Sequence, residues 1–298
     1  MELTDLVNQY LEKPKHKTDI RARLSHYPSE ASCEGDGKIY GACLRALYWG
    51  WTGEKITNPN DAHSIRRMEI GKVIEELEVA RYKTMGICAG KSVRFYLPEY
   101  NISGEVDAFV YDFFLDKDGF PAIITPRRII GVEIKSAYGY KFQKGVDSVM
   151  KDEHLLQIMI YLLAYGGMFK WIYLALDNPS FKAEYNVILS NQGHSVINGK
   201  LETKFSIAGI LERWRLLEQY LVEKTLPPRD YQWNCSKEEV EKRYKKGDIT
   251  KRSFDDYENG KKLISDWNCL YCSWKNLCWK DELSKLKEEV EDGRITSD

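Results

Sequence analysis

Residues 129–136 read Ile-Ile-Gly-Val-Glu-Ile-Lys-Ser. The run is short, β-branched and apolar apart from one carboxylate and one ammonium, so it predicts a strand rather than a helix. Residues two apart on a strand share a face, so Glu133 and Lys135 project together. Ile129, Ile130, Val132 and Ile134 make their surroundings apolar, and an acid and a base placed there are costly unless they pair or bind something. Upstream, residues 92–97 and 102–113 read as two strands joined by a turn at Pro98-Glu99-Tyr100-Asn101. The second carries Gly104-Glu105-Val106-Asp107, so Asp107 lies on a predicted partner strand.

The other segments fall into place around these strands. Residues 61–85 carry helical spacing, with Ile70, Val73, Ile74 and Leu77 as the expected buried stripe and Gly71 and Glu75 together along its edge. A helix is expected over Asp152–Ala164, strands over 171–176 and 183–189, and a helix over about 200–224 ending before Pro227-Pro228. The order is helix, three strands, helix, two strands, helices. That predicts an α/β (α+β) domain, a central mixed sheet flanked by helices.

The chain has 298 residues, 44 Lys+Arg against 45 Asp+Glu, 43% apolar and 30% charged. This composition excludes a disordered chain, and the balance of charge excludes a polycationic DNA-coating protein. No apolar stretch is long enough to span a bilayer, and no secretory leader is recognisable, so a cytoplasmic protein is expected, with no membrane partner.

Two constellations carry chemistry. Asp107 and Glu133 together can hold a hard cation such as Mg²⁺, and Lys135 beside it can orient water and offset developing charge. The alternative is a structural Glu–Lys pair at a strand end. In the following helix Gln157 and Tyr161 are four apart and share a face. The second constellation is Cys269-x₂-Cys272-x₅-Cys278 among Trp267, Tyr271, Trp274 and Trp279. Three thiolates leave one ligand wanting, and spacing leaves iron–sulfur and zinc both open. Cys33, Cys43, Cys88 and Cys235 are the candidates for the fourth.

Gly104-x-x-Asp107, Glu133-x-Lys135 and Gln157-x-x-x-Tyr161, in that order, resemble the PD-(D/E)XK nuclease superfamily, specifically its RecB-like exonuclease branch. The resemblance covers the motif skeleton from about residue 40 to 280. It implies that Asp107, Glu133 and the Ile134 carbonyl bind Mg²⁺ or Mn²⁺, that Lys135 serves the attacking water, and that Gln157 and Tyr161 contact the DNA strand. The family's further ligand is usually a His in G-x-x-x-H; here Gly71-x-x-x-Glu75 places Glu75 there. Iron–sulfur members of the branch, such as the AddB subunit and CRISPR-adaptation nucleases, pair an N-terminal Cys with C-x₂-C-x₅-C. By that likeness Cys43, Cys269, Cys272 and Cys278 would hold a [4Fe–4S] cluster joining the two ends.

The expectation is thus a single RecB-like nuclease domain over 1–298. It comprises an arm at 1–40, cluster segments at 41–60 and 266–280, a core at 61–225 and a charged helical insertion at 228–265. The expected activity is metal-dependent DNA exonuclease action on ends or single strands. The alternatives are a non-catalytic DNA-end-binding or interaction module and a zinc-stabilised endonuclease. Lys141, Lys144, Arg66 and Arg67 are candidate phosphate contacts. No helicase-type phosphate loop is present, so unwinding would need a helicase or another DNA-processing partner.

Overall fold

Alternation of apolar and polar residues builds a seven-stranded sheet in the computed structural model, which describes residues 7–8, 10–11, 23–118, 121–137, 150–178, 180 and 182–284. The chain runs through the hairpin β1 (Ser32–Gly35) and β2 (Lys38–Gly41), then helices α1 (Leu44–Thr52) and α2 (Ala62–Thr84). Strands β3 (Cys88–Leu97), β4 (Ile102–Leu115) and β5 (Pro121–Ala137) follow, then α3 (Asp152–Tyr165), β6 (Met168–Ala175) and β7 (Lys182–Leu189). Two short strands, β8 (Ser195–Ile197) and β9 (Lys200–Glu202), precede α4 (Ile207–Glu223). The last helices are α5 (Lys237–Lys245), α6 (Lys251–Glu258), α7 (Trp267–Leu270) and α8 (Lys275–Cys278).

Strand order in the sheet is β3-β4-β5-β6-β7-β8-β9. Every neighbouring pair is antiparallel except β5 and β6, which are parallel and joined through α3. This is a mixed α/β architecture with a central mixed sheet flanked by helices. In β7 the alternation is plain: Ala183, Tyr185 and Val187 are buried while Lys182, Glu184 and Asn186 are exposed.

The two sheet faces have separate cores. On one, α3 lies between the sheet and the β1–β2 hairpin with α4, and every residue from Leu155 to Leu162 is buried. A helix covered on all sides cannot show a single apolar stripe, which explains its near-continuous hydrophobic run. On the other face, α2 contributes Val79 and Tyr82 to a cluster with Ala108, Val110, Ile130, Val132 and Ile134.

Two expectations change here. Ile70, Val73 and Leu77 were expected as the buried stripe of α2, but all three are exposed. The helix turns Gly71, Glu75, Glu78, Val79 and Tyr82 inward instead, and only its C-terminal part reaches the apolar core. Gly71 makes this approach possible, because a Cβ there would lie 2.9 Å from Ser136 Oγ on β5. The helix expected from residue 200 begins at Ile207, where Ser206 caps it by accepting from the Gly209 amide; β9 occupies the preceding residues.

Candidate active site

The site forms where two strands part. The β4–β5 ladder ends at the Ala108–Val132 pair, so β5 beyond Val132 pairs only with β6, and β4 before Ala108 pairs only with β3. The Ile134 amide has therefore lost its backbone partner on β4. It donates instead to Asp107 Oδ2 at 2.8 Å. A carboxylate thus replaces a carbonyl in the ladder, and the gap beside it is lined by acids.

Glu133 is the hub. It is 2% exposed, and its Oε1 accepts from Lys135 Nζ at 2.7 Å and from Gln157 Nε2 at 2.8 Å. Gln157 Nε2 also donates to Tyr161 Oη at 2.7 Å, and that hydroxyl donates to the Glu105 carbonyl at 3.1 Å. The second Glu133 oxygen, Oε2, is buried and has no hydrogen-bond partner among the described residues. Such an atom is costly unless something else satisfies it.

The electrostatics follow from three acids around one base. Burial pushes the Asp107 carboxyl up to about 7, helped by the charge of Glu133. Burial likewise raises Glu133, against the pull of Lys135. Glu75, half-buried on α2, is raised by burial and then by Asp107, which places it in the same field. Burial by itself would lower the Lys135 ammonium, but Glu133, Asp107 and Glu75 together hold it above its ordinary value. Lys135 is therefore a fixed cation, also seated 5.5 Å from the Trp171 ring.

The structure thus brings Glu75, Asp107, Glu133, Ile134 and Lys135 into one site. It corrects the reading of Gln157 and Tyr161 as strand contacts. Both are buried behind Glu133, so they hold that carboxylate rather than face solvent. His154, one turn before Gln157 on α3, hydrogen-bonds Tyr173 Oη at 2.7 Å, stacks on Trp171, and is kept neutral by burial.

The two cysteine segments meet through hydrogen bonds. The Thr57 and Asn58 amides donate to the Ser273 carbonyl at 3.0 and 2.8 Å, and Trp274 Nε1 donates to the Glu54 carbonyl at 3.1 Å. Cys43 precedes α1 and Cys269 lies in α7; burial raises their thiols to about 11 and about 12. Cys269 feels the charges of Cys43 and Cys278, and Cys272 that of Cys278. Cys33, Cys88 and Cys235 are also free thiols, and Cys235 lies in the small core of the insertion, against Asp266. Among the described residues, no group of three or more His, Cys, Asp or Glu side chains is drawn together in the way that holds a metal ion.

A groove of about 2580 Å³ joins the acidic site to the charged 228–265 segment and the cysteine segment. Its wall includes Glu75, Lys135, Arg67, Lys242, Trp267 and Tyr271. The insertion is a pair of helices around its own small core of Cys235, Val240 and Ile264. Lys141 and Lys144 lie outside the described residues. Among the described residues no helix is long and apolar enough to cross a membrane.

Sequence reasoning missed the groove-lining aromatics because their neighbouring cysteines drew the reading to metal binding. No protein-family model matches the chain, and no curated protein sequence matches it.

Proposed function

We propose that this chain is a metal-dependent DNA exonuclease of the PD-(D/E)XK type, similar to the RecB-like branch, hydrolysing phosphodiester bonds at ends or in single strands. The observation that supports this most is the buried, unsatisfied Glu133 Oε2 beside Asp107 and Glu75. Three carboxylates against one lysine leave a deficit of positive charge, and hard oxygen donors suit Mg²⁺ or Mn²⁺. Glu75, Asp107 and Glu133 would hold the ion, with the Ile134 carbonyl as a further donor. When bound, the ion lowers the pKa of water and neutralises charge developing on phosphorus.

The side chains divide the remaining work. Lys135 stays protonated, so it acts by charge and by donating hydrogen bonds, orienting water and offsetting charge on the scissile phosphate. Gln157 and Tyr161 fix the rotamer of Glu133 from behind. The Ile134 amide does the same for Asp107.

The donor set of Cys43, Cys269, Cys272 and Cys278 suits a soft metal centre, and we assign it a structural [4Fe–4S] cluster. Its ligands must be thiolates, while burial holds the Cys43, Cys269 and Cys272 thiols protonated, so binding would release protons. The two cysteine segments already interlock there through backbone hydrogen bonds from Thr57 and Asn58 to Ser273.

The experiment is incubation of anaerobically purified protein with end-labelled single- and double-stranded DNA, with Mg²⁺, Mn²⁺ or EDTA. Cleavage that requires the ion and is lost in Glu133→Gln is the expected result. Undiminished cleavage by Glu133→Gln would remove the nuclease from this site.

A further inference from the structure

We propose that Trp267 and Tyr271 form a base-stacking station in the groove, which selects a strand with unpaired bases as the ligand. The link to cleavage rests on the phosphodiesterase reading above; the binding claim does not.

Trp267 is 65% exposed and Tyr271 54% exposed, although Cys269 and Trp279 of the same segment are buried in an apolar cluster with Trp233. The two rings do not join that cluster. They turn outward four residues apart, with centroids 4.2 Å apart and planes tilted by 44°. Both line the groove that also contains Lys135 and Glu75.

Their base is rigid. Asp266, which precedes Trp267, accepts from the Gln232 amide at 2.7 Å and pairs with Arg243, and its carbonyl accepts from the Cys269 amide at 3.0 Å. Two aromatic faces are thus held in solvent by an anchored loop, which gives a stacking surface at little cost in ordering.

Charge identifies the occupant. Most acids of the groove are already paired: Asp230 with Arg213, Asp152 with Lys204, Glu239 with Lys38 and Arg243, Asp266 with Arg243. Arg67, Lys151, Lys242, Lys246 and Lys280 also line it, and among the described residues none of these five pairs with a carboxylate. Five cations outside any ion pair, against the three acids Glu75, Glu153 and Asp248 likewise outside one among the described residues, leave a positive excess beside exposed aromatic rings. That fits a polyanion carrying flat apolar groups. A single-stranded nucleic acid has that chemistry, because its phosphates meet the cations and its bases are free to stack. In a duplex the base faces are occupied by each other.

The test is equilibrium binding in EDTA, where no cleavage occurs. The probes are a fluorescent single strand, in deoxy and ribo forms, the same deoxy strand made abasic, and the duplex. Wild type should bind at least one single-stranded form more tightly than the abasic strand. Trp267→Ala should weaken that binding about tenfold, the scale of one lost base–aromatic stack, and leave the abasic strand and duplex within about twofold. Trp267→Phe should restore most of the loss. The ring is exposed, so the variant's fold is not at risk; its melting temperature should match wild type. Equal weakening on all probes, or on none, would overturn the station. The nuclease reading is judged separately by Glu133→Gln, so either claim can fail without the other.

Discussion

The Ile134 amide and the Asp107 carboxylate meet at 2.8 Å, where the β4–β5 ladder has just ended. The contact converts a broken strand pair into a site. Had the ladder continued, the amide would have bonded a backbone carbonyl and the gap beside Glu133 would have closed. Instead a titratable group takes that hydrogen bond, and the acid that ends the ladder is raised in turn by the charge of Glu133.

Asp107→Asn and Asp107→Ala should therefore differ. Asn keeps an oxygen for the Ile134 amide, so that variant should fold normally and lose cleavage. Ala leaves the amide without its partner, adding about 1–3 kcal/mol of destabilisation. Urea unfolding of both variants, beside a cleavage assay, checks this. Equal stability of the two would mean that water replaces the carboxylate there.

Stability without metal should fall as pH rises from about 4 to about 7. Asp107 is pushed up to about 7 in the folded chain, chiefly by burial, whereas an unfolded aspartate titrates near pH 4. In that window the folded state holds a proton that the unfolded state has released, so folding is favoured at the low end and the contribution is lost as pH rises through the folded value. Burial raises Glu133 and Glu75 in the same direction. The loss should be on the order of 2 kcal/mol after allowance for water reaching the site. Melting curves in EDTA would show the slope, saturating Mg²⁺ should reduce it, and Asp107→Asn should flatten it. A slope untouched by Asp107→Asn would assign it to other groups.

Gln157→Leu tests the positioning role. It removes the donor that fixes Glu133 Oε1 and leaves Lys135 as that oxygen's partner. Cleavage at fixed metal should fall about 10–100-fold, the usual cost of losing a group that orients a ligand, and excess metal should recover part of it. Strand affinity in EDTA should stay unchanged, because the side chain is buried. A loss of strand affinity in a folded variant would return Gln157 to the substrate surface.

How far the sequence discloses this arrangement depends on what each residue answers to. Strand alternation is local, so residues 102–113 and 129–136 were legible from period and composition. The face of α2 was not: Ile70, Val73 and Leu77 made the most apolar stripe, yet Gly71 and Glu75 turn towards the sheet. Apolar periodicity assumes that burial decides orientation, and here close backbone approach and an inward carboxylate decide it. The β1–β2 hairpin was missed because Ser32–Gly41 is too short and polar to show a period. Gln157 and Tyr161 were read correctly as a polar pair on one helix face, but burial on every side of α3 is a tertiary fact with no local signature.

Cluster loss should unlatch the two ends. Cys43→Ala, Cys269→Ala, Cys272→Ala and Cys278→Ala should each lose iron, visible colour and solubility, since ligand binding contributes folding free energy. Cys88→Ala, at a half-buried position, should keep all three. The measurement is iron and acid-labile sulfide per chain after anaerobic purification, with limited proteolysis near residue 57 as a reporter of latching. Zinc in place of iron, at one per chain, would replace the cluster by a zinc site.

Glu75 decides whether the metal site has two carboxylates or three. Its neighbour Glu76 is exposed, whereas Glu75 is half-buried and is raised by burial and by Asp107. Glu75→Gln removes one negative charge from an anionic pocket. In EDTA the variant should be slightly more stable than wild type at pH 8, because repulsion with Asp107 is gone. With metal the order should reverse: a hard anionic oxygen is lost, so more Mg²⁺ is needed for half-maximal cleavage, by about tenfold. Glu75→His should restore activity with a shift towards Mn²⁺, since imidazole is the softer ligand. The opposed signs in the two conditions separate a ligand from a surface acid, whose removal would move neither curve. Superimposable metal titrations of wild type and Glu75→Gln would confine the site to Asp107 and Glu133.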